Sequence, residues 1–242
     1  VPLSQTPPGM FAHLVADMVR ERFPPVATLA ALKHPLAACG RARDTFREEV
    51  RQLERWALRG PRPEPGIDGL VGALDERTPL ELAKAVNGML NDLAAVLAPF
   101  AALMAAPEAP LVDMLTAHFT AVEALVGDGE IDGAERLWAG ENGEALAEFI
   151  DEATDAARVI GSIAPAVYPA LLSALMSGRV VRLRFGRHPR LHIWGPLEAR
   201  LQNANLVILG GLNEGNWPRN PDPDPWLSRP MQYAFGLPLP ER

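Results

Sequence analysis

The chain has 242 residues, enough to bury a sizeable core in one or two domains. Hydrophobic residues at 48% and charged residues at 22% are those of a soluble globular protein, and a formal net charge of -7 excludes a uniformly basic binder of nucleic acid. The single Cys39 excludes an internal disulfide and fits a reducing, cytoplasmic setting.

The opening VPLSQTPPG lacks both the basic region and the apolar core of a signal peptide. It also begins without methionine, as a processed product or a fragment would. Thr6 with Pro7 and Pro8 supplies an N-cap and first-turn prolines for a helix running to about Phe23, where Pro24 and Pro25 end it. A shorter helix is predicted over Val26 to Lys33, broken by His34-Pro35. From Ala42 to Arg59, Phe46, Val50, Leu53 and Ala57 fall within about 60° of one another on a helical wheel, which marks a core face.

The same helix carries Arg43, Arg47, Arg51, Arg55 and Arg59, spaced by four. Each step drifts about 40°, so the row should begin beside the apolar face and end opposite it, over roughly 24 Å of helix. Such a row can track a phosphate backbone. Equally, Asp44, Glu48 and Glu54 lie three residues from Arg47 or Arg51 and can pair with them as a solvated face. GPRPEPG, residues 60 to 66, reads as a stiff proline linker.

Thr78 is the expected N-cap of the next helix, with Pro79 at its first position and Glu81 as the capping-box acid. Leu82, Val86, Met89, Leu90, Leu93 and Leu97 keep one face apolar until Pro99. The apolar run from Leu93 to Pro107 is interrupted by Pro99 and closed by Glu108, short of the roughly 18 residues of a membrane span. No membrane contact is therefore expected. Leu111, Leu115, His118, Val122 and Leu125 repeat the pattern, with His118 read as a hydrogen-bonded core histidine. Leu146, Phe149, Ile150, Ala153 and Ala157 mark another amphipathic helix with its acids outward, and Val167 to Met176 a last short one. No repeat period is evident.

Charge is unevenly placed. Asp128 to Arg158 carries ten carboxylates against two arginines, while Arg179 to Arg190 carries five arginines and no acid. Arg179, Arg182, Arg184, Arg187 and Arg190 are thus candidates for DNA contact, or for pairing with the acidic 128 to 158 stretch. After Gly178 the pattern turns strand-like at VVRLRF (180 to 185) and RLHIW (190 to 194), with a helix predicted over Gly195 to Gln202. Leu206 to Leu209, an apolar block bounded by Gly210 and Gly211, then reads as a strand buried on both faces, leading into the polar turn Asn213 to Asn216. The expected fold is mainly α: a helical unit over 1–178, then a small, incomplete α/β piece over 179–242, with too few strands for a doubly wound domain.

Catalytic motifs fail one by one. Neither of the two lysines, Lys33 and Lys84, follows a glycine, so there is no phosphate-binding loop. Their positions two residues upstream, Ala31 and Leu82, are not the acids of a PD-(D/E)xK nuclease, which leaves Pro221 to Asp224 as a proline-rich turn. Of the five histidines only His188 and His192 are close, with Pro189 between them, against a helical metal pair. No Gly-x-Ser-x-Gly elbow occurs.

LHIWGPLEARLQNANLVILGGLNEGNWP followed by PDPDPWLSRPMQYAFGLPLPER closely resembles the AddB family, the double-strand break repair subunits of AddAB helicase-nucleases, in their alphaproteobacterial form. LKHPLAACG (32 to 40) and LERWALRGPRPEPGIDGL (53 to 70) look like the same family. Gly195 to Glu198 with GLNEGNWP is similar to motif V of superfamily 1 helicases, and Glu241-Arg242 would open motif VI. The resemblance implies that residues 1–178 are a helical subdomain inserted in the second RecA-like helicase domain, of which 179–242 is part. It implies a parent complex using ATP and magnesium, with no cofactor held by this segment, and an AddA-type subunit, duplex DNA and single-stranded DNA as partners. It also places Glu198 where active relatives approach the nucleotide ribose, although Trp194 and Pro196 depart from the motor motif and leave a surface helix acid as the alternative. Arg47, Arg51 and Arg55 become further candidates for DNA contact. Reversing Arg184 and Arg187 to glutamate should then weaken DNA binding by the full complex.

Overall fold

The computed structural model describes residues 1–74, 78–181, 190–195, 197–213, 215 and 226–237. They fall into two compact units, Val1–Gly186 and Arg187–Arg242. The chain is mainly helical.

In the first unit, Thr6 accepts from the Gly9 N–H and opens α1 (Pro7–Arg20), whose prolines sit where no helical N–H partner exists. α2 (Pro25–Leu32) and α3 (Arg43–Leu53) follow. α4 (Ile67–Gly72) is short, and α5 (Leu80–Ala105) spans 26 residues. β1 (Ala109–Pro110) leads into α6 (Leu111–Val126) and α7 (Gly133–Leu137). α8 (Gly140–Ile160) ends at Gly161, whose φ of 78° makes the left-handed exit. β2 (Ser162–Ile163) then pairs antiparallel with β1, before α9 (Tyr168–Ser177). The expected helical unit extends slightly past Gly178. The Leu3 N–H donates to the Arg179 carbonyl at 2.8 Å, and the Val181 N–H to the Val1 carbonyl at 2.8 Å.

The core is a stack of apolar helix faces: Phe11, Val15 and Met18 of α1, Phe46 and Leu53 of α3, Leu90, Leu93 and Phe100 of α5, and Met114 and Val122 of α6. Two expectations for α5 need correction. Thr78 makes no cap, and Pro79 itself is the N-cap residue. The helix also runs through Pro99 to Ala105. Proline removes one backbone hydrogen bond, but Leu97 and Phe100 on either side of it are fully packed, and their burial holds the helix line. By length and composition α5 could cross a membrane. Here its apolar stripe packs against α1, α3, α4 and α6.

α6 and α7 meet so closely that a β-carbon on Gly133 would lie 1.8 Å from the Glu123 carbonyl oxygen. Backbone lies on both sides and neither can yield. Gly133→Ala should therefore lower stability by about 2 kcal/mol, read as a urea midpoint shift at unchanged slope; an unshifted midpoint would mean that the turn relaxes freely.

The second unit departs from the sequence reading. Residues 205–213 form no strand, and Leu206, Val207, Ile208 and Leu209 are 62–84% exposed. A strand buried on both faces needs neighbours on its edges and helices on its faces. Among the described residues of this unit the only regular element is α10 (Arg229–Ala234), and no described strand pairs with the block. Residues 190–194 are likewise irregular, and within the helix predicted over Gly195 to Gln202 the described residues 197–201 are turns, with the Ala199 N–H donating to the Gly195 carbonyl. VVRLRF from 182 onward, Asn216 to Pro218 and the PDPDP turn lie outside the described residues.

Candidate nucleic-acid interface

Four core residues fix the orientation of α3. Phe46, Val50, Leu53 and Ala57 are all buried, as their spacing predicts, and this forces the arginine row outward. After Leu53 the chain passes into a π turn, Glu54–Leu58, closed by the Arg59 N–H donating to the Glu54 carbonyl at 3.0 Å. Closing i to i+5 adds a residue to the turn, which opposes the 40° drift of a four-residue spacing in an α-helix. The row therefore does not swing to the far side as a straight helix requires. Arg51, Arg55 and Arg59 instead converge with Glu54 around one hollow of about 410 Å³.

Each guanidinium has a neighbour. Arg47 meets Asp44 at 3.7 Å and Arg51 meets Glu48 at 3.1 Å, both one helical turn apart. Arg59 and Lys33 both reach Glu54, whose carboxyl is held below its ordinary range first by the Lys33 hydrogen bond and then by Arg59. Arg55 lies over the Trp56 ring, 5.5 Å from its centroid. Arg43 reaches across to Asp128 at 3.2 Å. The Arg47–Asp44 and Arg51–Glu48 pairs are exposed and hold loosely, so a phosphate can take over either arginine at little cost. Behind the row, Glu49 is buried and bonded to Arg41 at 2.9 Å; burial pushes its carboxyl up.

Beside the hollow an open cleft of about 840 Å³ is lined by Arg55, Trp56, Arg59 and Arg62 together with the 60–66 proline loop. Trp56 and Arg62 are members of this surface that the helical pattern of arginines does not reveal. The adjacent pair Arg55-Trp56 and an arginine between two prolines are the signals that could have found them.

Of the second predicted basic track, only Arg179 and Arg190 are among the described residues. Arg179 belongs to the first unit and makes a two-pronged ion pair with Glu152 of α8, the acidic helix set against it as an alternative partner. Arg190 is exposed and belongs to the second unit. Arg182, Arg184 and Arg187 lie outside the described residues. Glu198 is an exposed turn acid rather than a helix residue, and its carboxylate accepts from the Gly195 N–H at 2.7 Å. His192 and Trp194 stack at 5.0 Å. Among the described residues no group of three or more His, Cys, Asp or Glu is placed to hold a metal. Searches of protein-family models, curated proteins and solved structures find no match to this chain.

Proposed function

We propose that this chain is a non-catalytic part of an AddB-type subunit of an ATP-dependent helicase-nuclease that processes DNA double-strand breaks, acting in the cytoplasm and contributing DNA tracking and contacts to an AddA-type subunit. The observation that carries the DNA reading is the convergence of Arg51, Arg55 and Arg59 on one hollow, beside an indole and a further guanidinium. Cations on one face supply the salt-dependent attraction to phosphates, and Trp56 offers an apolar ring against which an unpaired base can stack.

The test is titration of labelled duplex and single-stranded DNA with the whole chain at low and moderate salt. Reversing Arg51, Arg55 and Arg59 together to glutamate should weaken binding by roughly 10–100-fold at low salt and lower the slope of log K against log salt by about 2–3. The core face is untouched, so the variant should still melt in one cooperative transition. Affinity that ignores salt, or survives the triple reversal, would refute the DNA reading. It would favour the alternative to which the arginine–carboxylate pairs lend weight, a helical interaction module that never touches DNA.

A further inference from the structure

On another part of the helical unit, α8 and α9 leave an apolar trough between them of about 260 Å³. Leu111 and Leu115 of α6 belong to its lining, and its walls include Ala156 and Ile160 from α8 and Leu171 and Leu175 from α9. Ile160 is 54% exposed and Leu175 47% exposed. On both helices the lining residues recur at three- and four-residue spacing, so each wall is a straight apolar stripe, the form of a seat for a third helix.

Charge decides what kind of helix fits. On a wheel of 100° per residue, Glu148, Glu152 and Asp155 run down one edge of the α8 stripe, within about 60° of each other. Glu144 and Asp151 lie just beyond them, and all five carboxylates are exposed. Against these stand two arginines, Arg158 paired with Asp155 and Arg179 paired with Glu152. Among the described residues the rim is therefore acidic by three charges, five minus two. An acidic partner would be repelled from this edge by its net negative charge, which a basic one would complement.

We propose that the α8–α9 trough is a docking site for a basic amphipathic helix of a partner protein, its apolar side in the trough and its lysines or arginines along Glu148, Glu152 and Asp155. The inference rests on the geometry of this face alone and stands whether or not the chain contacts DNA.

The probe is a fluorescein-labelled 18-residue peptide of leucine and lysine with leucine at helical spacing, followed by anisotropy with the whole chain. Its controls are the same peptide with glutamate for lysine, and one with serine for leucine. The leucine–lysine peptide should bind, with affinity falling as salt rises, and both controls should fail. Leu175→Glu and Ile160→Glu should each weaken it about tenfold or more, and replacing Glu148, Glu152 and Asp155 by glutamine should weaken it and flatten its salt dependence. These positions are at the surface, and Leu175→Ser serves as a milder variant should Leu175→Glu alter the melting curve. Equal binding of the lysine and glutamate peptides, or binding indifferent to the α8 and α9 variants, overturns the proposal. So does failure of the peptide combined with self-association that Leu175→Glu abolishes, which would assign the trough to a second copy of this chain.

Discussion

Replacing His118 by alanine should destabilise the helical unit by about 4 kcal/mol. His118 is fully buried on α6 and joins three other helices. Its Nε2 lies 3.0 Å from the Ala12 carbonyl of α1, and its Nδ1 lies 2.9 Å from the Tyr168 hydroxyl of α9. Its ring stacks on Phe100 of α5 at 4.6 Å between centroids. A carbonyl can only accept, so Nε2 carries the proton and Nδ1 accepts from Tyr168. Alanine empties an aromatic-sized space, which on its own costs about 3–5 kcal/mol in a core that cannot collapse, and leaves the buried Tyr168 hydroxyl without a partner. In a unit of this size the melting temperature should drop by roughly 10 °C. Tyr168→Phe keeps the volume and removes one hydrogen bond, so it should cost only about 1–2 kcal/mol. Equal losses in the two variants would show that the space, and not the bonding, is misjudged.

That His118 belongs to the core was legible in the sequence, because it sits among Leu111, Leu115, Val122 and Leu125 on one helical face, and all five are buried. The core faces of α3 and α8 were legible for the same reason. A 3.6-residue period survives any arrangement of neighbours, since a helix closes its own backbone hydrogen bonds. Leu206 to Leu209 shows the opposite case. Four apolar residues in a row specify a strand only where other strands pair with its edges, so the pattern alone could not decide it. Pro99 misled for a related reason: its local cost is fixed by the residue, while the packing of Leu97 and Phe100 that outweighs it is set by distant helices. The π turn was hidden because arginines four apart suit an α-helix just as well. Only the buried Ala57 and Leu58 within it show how the turn must widen to keep both an apolar face inward and the guanidiniums together.

The second large effect is on acid stability. Burial draws the His118 imidazole down to about 3, from an ordinary 6.5, with the nearby His13 adding slightly; the Ala12 hydrogen bond opposes this only in part. A folded-state value below the unfolded one means that the unfolded chain takes up the proton first. The stabilisation is therefore complete above about pH 6.5 and is lost as pH falls toward 3, by about 5 kcal/mol in all and roughly 2 kcal/mol by pH 5. The half-buried His34 is lowered too and adds to the loss in the same window. The carboxylates act later: Glu48, Glu54, Asp128 and Glu152 are held below their ordinary values and lose their contribution only beneath about pH 4.5, whereas the buried Glu49 shifts the other way. Urea unfolding between pH 7.5 and 5 thus reports the histidines, with the opposing proton uptake of buried Glu49 common to wild type and variant. Wild type should lose stability steadily through this range, while His118→Ala, already weaker at pH 7.5, should lose only the smaller part due to His34. A variant that keeps the wild-type slope would place the proton uptake elsewhere and remove His118 as the acid-sensitive joint between α1, α6 and α9.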